Sequence, residues 1–124
     1  MNTQEFTAAY SEPRNGANRF IRHPLARRFI YSDGVQQCAE VGCYWLLDIV
    51  ATECVRLTIQ ADVMGILHVV VKKSKAVLKL SFSDEAPPTW TKKIAHTDMP
   101  DGNWMFYLNS YDGETVSMIL PTEY

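Results

Sequence analysis

Asp48, for its apolar setting, and the three histidines and three cysteines are the side chains in this sequence to weigh first for catalysis or metal binding. Asp48 sits inside Trp45-Leu46-Leu47-Asp48-Ile49-Val50. A carboxylate there either faces the narrow wet side of a helix or is buried with partners, because burying an unpaired charge is costly. Paired, it locks the helix to the rest of the fold by accepting from a hydroxyl or an arginine; with a raised pKa it becomes a general acid or base. No second carboxylate stands at a fitting position, so the structural role is expected. His23, His68 and His96 lie on separate elements, without H-x-x-x-H or C-x-x-C spacing, and neither a metal site nor a cofactor is expected. Cys38, Cys43 and Cys54 are odd in number and fall on inward helix faces, where a thiol lacks the exposure and electropositive neighbour of a nucleophile. They read as buried small hydrophobes of a reducing compartment, with no disulfide.

Charge is the second kind of chemistry. The net charge is -2, yet residues 12 to 30 hold five arginines against one glutamate, and residues 94 to 124 hold five acids and no lysine or arginine. Arg19, Arg22, Arg27 and Arg28 bracket Phe20 and Phe29, a set able to grip a phosphate backbone and stack bases. A pI near 5.9 is far from that of a dedicated nucleic-acid binder, so direct nucleic-acid binding is the lesser expectation and ion pairs with the acidic tail the greater. The acids Asp98, Asp101, Asp112, Glu114 and Glu123, with Tyr107 and Tyr111, form the candidate partner-binding set: they would present carboxylates to a basic groove. No G-x-G-x-x-G or G-x-x-x-x-G-K phosphate loop occurs.

These residues are positioned by a chain of 124 residues with 47% hydrophobic content, which suits one domain, residues 1–124. Cys43 to Cys54 is apolar almost all round a helical wheel; Leu46, Val50, Cys43, Cys54 and Leu47 share a face, and only Tyr44, Asp48 and Thr52 make a polar stripe. Such a helix must be buried. Asp33 and Gln36 stand at capping-box spacing before it, which predicts a helix from about Gly34, and Gly42 predicts a kink. A strand is expected over Arg28 to Tyr31. Asn2 and Glu5 repeat the capping spacing ahead of Phe6, Ala9 and Tyr10, predicting a short N-terminal helix. Val55 to Asp62 reads equally as helix tail or strand. From Met64 the period becomes two: a hairpin with a basic tip at Lys72-Lys73-Ser74-Lys75, a strand over Trp90 to Thr97, and a last hairpin, Trp104 to Asn109 and Thr115 to Leu120, across Asp112-Gly113. The expected fold is α+β, an antiparallel sheet of about four to six strands packed against the central buried helix. No apolar run is long enough for a membrane span and no leader is evident, so a cytoplasmic protein is expected.

Several phrases occur in order: Arg22-His23-Pro24-Leu25, Tyr31-Ser32-Asp33-Gly34-Val35, Tyr44-Trp45-Leu46-Leu47-Asp48, Thr97-Asp98-Met99-Pro100 and Leu120-Pro121-Thr122-Glu123-Tyr124. In this the chain resembles a family of short uncharacterised bacterial, plasmid and phage proteins with phrases like RHPL, YTDGV, AYWLLD, TDFP and LPSEY, over roughly residues 19 to 124. The resemblance implies a genetic context, mobile elements, and no catalytic residues. The expected function is therefore a non-enzymatic accessory protein that binds a host or phage protein complex, of the kind that inhibits a host defence complex such as a CRISPR effector. The alternatives are a small enzyme using Asp48 or His96, and a nucleic-acid accessory protein using the Arg19 to Arg28 segment.

Overall fold

The computed structural model of the protein describes residues 3–13, 16, 19–83 and 85–124. In chain order its elements are helix α1 (Thr3–Ser11), strands β1 (Phe20–Arg22) and β2 (Phe29–Ser32), helices α2 (Asp33–Cys38), α3 (Tyr44–Ile49) and α4 (Val55–Ala61), then strands β3 (Gly65–Lys72), β4 (Lys75–Ser81), β5 (Trp90–Ile94), β6 (Gly102–Asn109) and β7 (Val116–Ile119), and a 3-10 turn over Pro121–Glu123. No helix among the described residues is long and apolar enough to cross a membrane.

Two-residue alternation builds the sheet. Leu67, Val69 and Val71 of β3 and Ala76, Leu78 and Leu80 of β4 are buried on one face, while the residues between them point away. The seven strands run in the order β1-β2-β7-β6-β3-β4-β5. Neighbours are antiparallel except β2 and β7, which are parallel, with Phe29 opposite Val116 and Tyr31 opposite Met118. The sheet is thus larger than the expected four to six strands and is mixed rather than antiparallel. The extra strand is β1, whose three residues are too few to show alternation, and the mixed order comes from a parallel pair that links distant segments and leaves no local turn signal. Expected strand bounds also shift by a residue or more at β2, β5, β6 and β7, with β5 closing at Ile94 rather than Thr97.

The helices cover the inner face. Leu46, Leu47, Val50, Cys43 and Cys54 are buried as their wheel positions require, and Tyr44, Asp48 and Thr52 face solvent. The stretch from Asp33 to Ala61 is one helical path interrupted twice. Gly42 adopts φ 128, a conformation closed to most side chains, and this breaks the path where the glycine predicted a kink. Val50–Cys54 is a wider π turn, next to which the Thr52 hydroxyl donates to the Asp48 carbonyl at 3.0 Å. Val55 to Ala61 resolves as helix, stopped by Asp62 in the left-handed region. The first helix starts one residue earlier than Asp33 suggested: Ser32 is the cap, its Oγ accepting from the Val35 N–H at 3.1 Å. Helix α1 lies where expected, although Asn2, its proposed cap, is outside the described residues.

Helix α1 also completes the sheet. Phe6 and Tyr10 pack edge-on against Trp104, with ring centroids 4.8 and 5.0 Å away. Beyond Tyr107, β6 has no ladder partner on its β7 side. There the Tyr10 hydroxyl donates to the Met105 carbonyl at 3.2 Å and accepts from the Met105 N–H at 2.9 Å, so one side chain replaces a residue of strand. Burial pushes the Tyr10 phenol up, which keeps it in the protonated form that this double role requires.

At the β3–β4 tip, Lys73 and Ser74 both have positive φ, 51 and 65. Such a two-residue turn favours Asn-Gly, and the conformation disfavours ordinary side chains. The turn is braced by the Asp101 carboxylate, which accepts from the Lys73 N–H at 3.0 Å, and by the Thr97 N–H, which donates to the Ser74 carbonyl at 2.8 Å. Ser74→Gly keeps both braces and removes the strain, so it is expected to raise the free energy of unfolding by about 1 kcal/mol. Urea denaturation measures this, and an unchanged or lower midpoint would contradict the strained-turn account.

Candidate functional site

The two carboxylates best placed for chemistry both turn out to be bonded within the fold. His23 lies in the turn after β1 and is buried, with its ring 5.9 Å from that of Phe29. Its Nδ1 accepts from the backbone N–H groups of Leu25 and Ala26 at 3.2 and 3.1 Å, which places the ring proton on Nε2. Nε2 then donates to Asp48 Oδ1 at 2.9 Å. Asp48 therefore does lock its helix to the rest of the fold, through a histidine rather than the hydroxyl or arginine expected. Its side chain is 73% exposed, and among the described residues no cluster of three or more His, Cys, Asp or Glu side chains able to hold a metal ion includes it.

Glu123 is 4% exposed. Its Oε1 accepts from Ser32 Oγ at 2.5 Å and from the Leu120 N–H at 2.9 Å, and its Oε2 accepts from the Gly34 N–H at 3.3 Å. The donors are two strand-end groups and an N–H of the first turn of α2, which Glu123 shares with Asp33 Oδ1 at 3.1 Å. A Cβ on Gly34 would stand 2.7 Å from this carboxylate, so the close approach depends on glycine. Glu123 therefore drops out of the candidate partner-binding set, because its oxygens are occupied inside the protein.

The remaining acids do not converge. Asp98 and Asp101 precede β6, and Asp112 and Glu114 follow it, so the two groups are separated by a strand about 25 Å long. Asp98, Asp101 and Asp112 each have a local contact. Asp101 braces the β3–β4 tip, and Asp112 Oδ1 accepts from the Glu114 and Thr115 N–H groups at 2.9 and 2.8 Å, bonds that hold its carboxyl below the usual range. His96 and Asp98 are 3.5 Å apart and both largely exposed, an ordinary surface pair. The three cysteines are buried thiols, and burial pushes the Cys54 thiol up to about 12 and the Cys43 thiol higher still, where neither is a nucleophile.

Arg19, Arg22, Arg27 and Arg28 are exposed around the β1–β2 turn. Among the described residues no ion pair links them to the acidic tail, contrary to expectation; Arg22 instead donates to the Arg27 carbonyl. The acidic tail lacks them because its members lie at both ends of β6 or inside the protein.

What the fold does assemble is an open sheet face. Helices cover only the inner side, and the outward positions form a continuous surface in which Ile66 and Val70 of β3, Val77 of β4, Met105 and Tyr107 of β6 and Ile119 of β7 lie side by side. Tyr107 meets Tyr124 edge-on, with centroids 5.3 Å apart. A shallow depression of about 400 Å³ lies over Met64, Ile66, His68 and Phe82. A second, of about 240 Å³, shares Met64 and reaches Phe20, Tyr111, Ile119 and Tyr124. Tyr107 and Tyr111, singled out in the sequence, are thus brought to one surface with Phe20 and Tyr124. Sequence reasoning missed the rest, although the apolar outward set of Ile66, Val70 and Val77 was visible in the alternation.

A family model described as a family of unknown function (DUF6876) matches residues 11–124. The chain belongs to the DUF6876 family. No curated protein and no solved structure matches it. Within this DUF6876 member, four of the phrases marked in the sequence meet as two ties: Arg22-His23-Pro24-Leu25 with Tyr44-Trp45-Leu46-Leu47-Asp48 through the imidazole, and Tyr31-Ser32-Asp33-Gly34-Val35 with Leu120-Pro121-Thr122-Glu123-Tyr124 through the carboxylate.

Architectural ties and catalytic groups respond differently to substitution. Asp48→Asn preserves an acceptor for His23 Nε2 and, at an exposed site, is expected to change stability by less than about 1 kcal/mol, whereas His23→Ala strands two backbone donors and is expected to cost about 2 kcal/mol. A larger loss for Asp48→Asn than for His23→Ala in thermal melts would reverse this ranking. Glu123→Ala leaves the Leu120 N–H and the Ser32 hydroxyl buried without an acceptor, while the Gly34 N–H keeps Asp33 Oδ1 at 3.1 Å, and is expected to cost about 2 kcal/mol or more, with Glu123→Gln intermediate. Equal stability of all three proteins in guanidinium would show that the buried carboxylate contributes nothing.

Proposed function

We propose that the protein is a non-catalytic binding protein that docks a partner protein on the open face of its sheet. The observation that carries this reading is how the reactive groups are used. Asp48 and Glu123 serve as internal ties, while the apolar and aromatic side chains left uncovered lie together on the outward face. A catalyst must converge a base or nucleophile and an electrophile on one spot, and His96 with Asp98 at an exposed turn does not. The face spans six interstrand gaps, about 29 Å, and about 20 Å along its longer strands, about 600 Å² in projection beside the roughly 800 Å² per partner of a standard-size complex. The phrase resemblance suits an accessory protein of a phage or other mobile element. Within that class we favour an inhibitor that binds a host defence complex.

A photo-crosslinking residue placed at Val70 or Val77 is expected to capture one stoichiometric protein in host cells, and the same residue at Glu40 on the helix layer is not. Capture from Glu40 alone, or turnover of a small molecule abolished by Asp48→Asn or His96→Ala in folded protein, would overturn the proposal.

A further inference from the structure

The charge of the open face is one-signed, and its distribution in the fold says what the face would accept. The charged side chains at outward strand positions are Arg22 on β1, Lys72 on β3, Lys75 and Lys79 on β4, and Lys93 on β5; His68 lies among them. No outward strand position among the described residues carries an acid. The helix layer is the reverse, with Glu5, Glu40, Asp48 and Glu53 against Arg56. The sequence pI averages two faces of opposite sign and so hides both. Acids do stand in loops at the ends of the sheet, Asp98 and Asp101 at one end, Asp112 and Glu114 at the other; the carboxylates of Asp101 and Asp112 accept local backbone N–H groups, and Asp98 faces His96.

This arrangement works against the free protein. Lys72 and Lys75 are directly opposed across the β3–β4 ladder, and Lys79 and Lys93 lie on adjacent strands one diagonal apart, with Lys93 opposite Val77 and Lys79 opposite Thr91. Like charges so placed repel. Guarding a sheet edge against aggregation accounts for Lys93 on the edge strand β5, but not for Lys79 or Lys72, which lie on interior strands. The lysine stems lie beside Val77 and Ile66, so the surface reads as an apolar centre framed by cations.

From this we infer that the docking partner presents an acidic protein surface with apolar side chains among its carboxylates. The inference rests on the binding reading above and deepens it. A protein surface is favoured over single-stranded nucleic acid because the centre of the face is built from Ile66, Val70, Val77, Met105 and Ile119. Bases stack on aromatic rings, and no Phe, Tyr or Trp stands at an outward position of β3, β4 or β5, the strands that carry the lysines; Phe20 is on β1 and Tyr107 on β6.

The test uses the intact protein and three probes followed by amide chemical shifts: a peptide alternating glutamate with leucine and phenylalanine, its lysine-for-glutamate counterpart, and oligothymidylate. The acidic peptide is expected to shift amides of β3, β4 and β6, with binding that falls as salt rises. Lys79→Glu with Lys93→Glu is expected to weaken it by roughly tenfold or more, Lys79→Gln with Lys93→Gln by less, and Glu40→Lys on the helix layer not at all. The glutamine pair keeps the test valid should the reversed pair misfold. Equal or tighter binding of the basic peptide, shifts confined to the helix layer, or tighter binding of oligothymidylate to the same amides would overturn the inference, the last making nucleic acid the occupant. If no probe binds while a cellular partner still crosslinks to Val70, the charge inference falls and the binding reading stands; if neither occurs, both fall.

Discussion

The buried carboxylate of Glu123 is the contact on which the rest of the architecture depends. It joins the strand-to-helix junction at Ser32 and Gly34 to the segment just after β7, and so fixes the only parallel pair in the described sheet, β2 beside β7. On one side of that pair lies the β1–β2 hairpin; on the other lie the five strands that hold most of the core. A carboxylate without a cation is costly to bury, and here the cost is offset by three donors aimed at its two oxygens. Ser32 serves twice, capping α2 through its oxygen and donating its proton to Glu123. Gly34 is required by the same contact, since a side chain there would occupy the carboxylate's place.

With the junction held, the helices and the sheet have a fixed relation, and the asymmetry of the molecule follows. The path from Asp33 to Ala61 is folded back on one face of the sheet by the break at Gly42 and the turn over Val50–Cys54, which leaves the opposite face without a helix among the described residues; Tyr124, after the C-terminal turn, packs there on Tyr107. His23 and Asp48 add a second tie between the β1–β2 turn and this helical layer, and the ion pair of Lys92 with Glu53, 2.9 Å, adds a third at the far edge. All three fasten helix to sheet, and none restricts access to the outer surface.

Much of this was legible in the residues. An all-round apolar helix, a kink at glycine and a change of period at Met64 are local signals, and each corresponds to an element of the structure. The polar stripe of Tyr44, Asp48 and Thr52 fell where the wheel put it. What could not be read was non-local. Whether Glu123 is a surface acid or a buried tie depends on Ser32, 91 residues away, and no spacing rule connects them. The acidic run looked like a patch because five acids share a stretch of chain, and β6 divides it because strands separate the residues at their two ends. The basic face was hidden for the converse reason: Arg22, Lys72, Lys79 and Lys93 are scattered in sequence and meet only when β1, β3, β4 and β5 share a sheet. Alternation shows which residues share one side of a strand, but not which strands are neighbours.

The long reach of the Glu123 tie has a kinetic side. Its bonds to Ser32 and Gly34 span 91 and 89 residues, and the parallel pair beside it is as distant in sequence. Closing loops of that length precedes any reward from the contacts they bring, so proteins rich in such pairings fold slowly for their size. The β3–β4 hairpin and the helices can form from local contacts while the chain is still emerging from the ribosome. The β1–β2 hairpin cannot find its place until β7 has been made. Through that interval Phe29 and Tyr31 lack their β7 neighbours Val116 and Met118, and the sheet is complete only once its first strands meet its last.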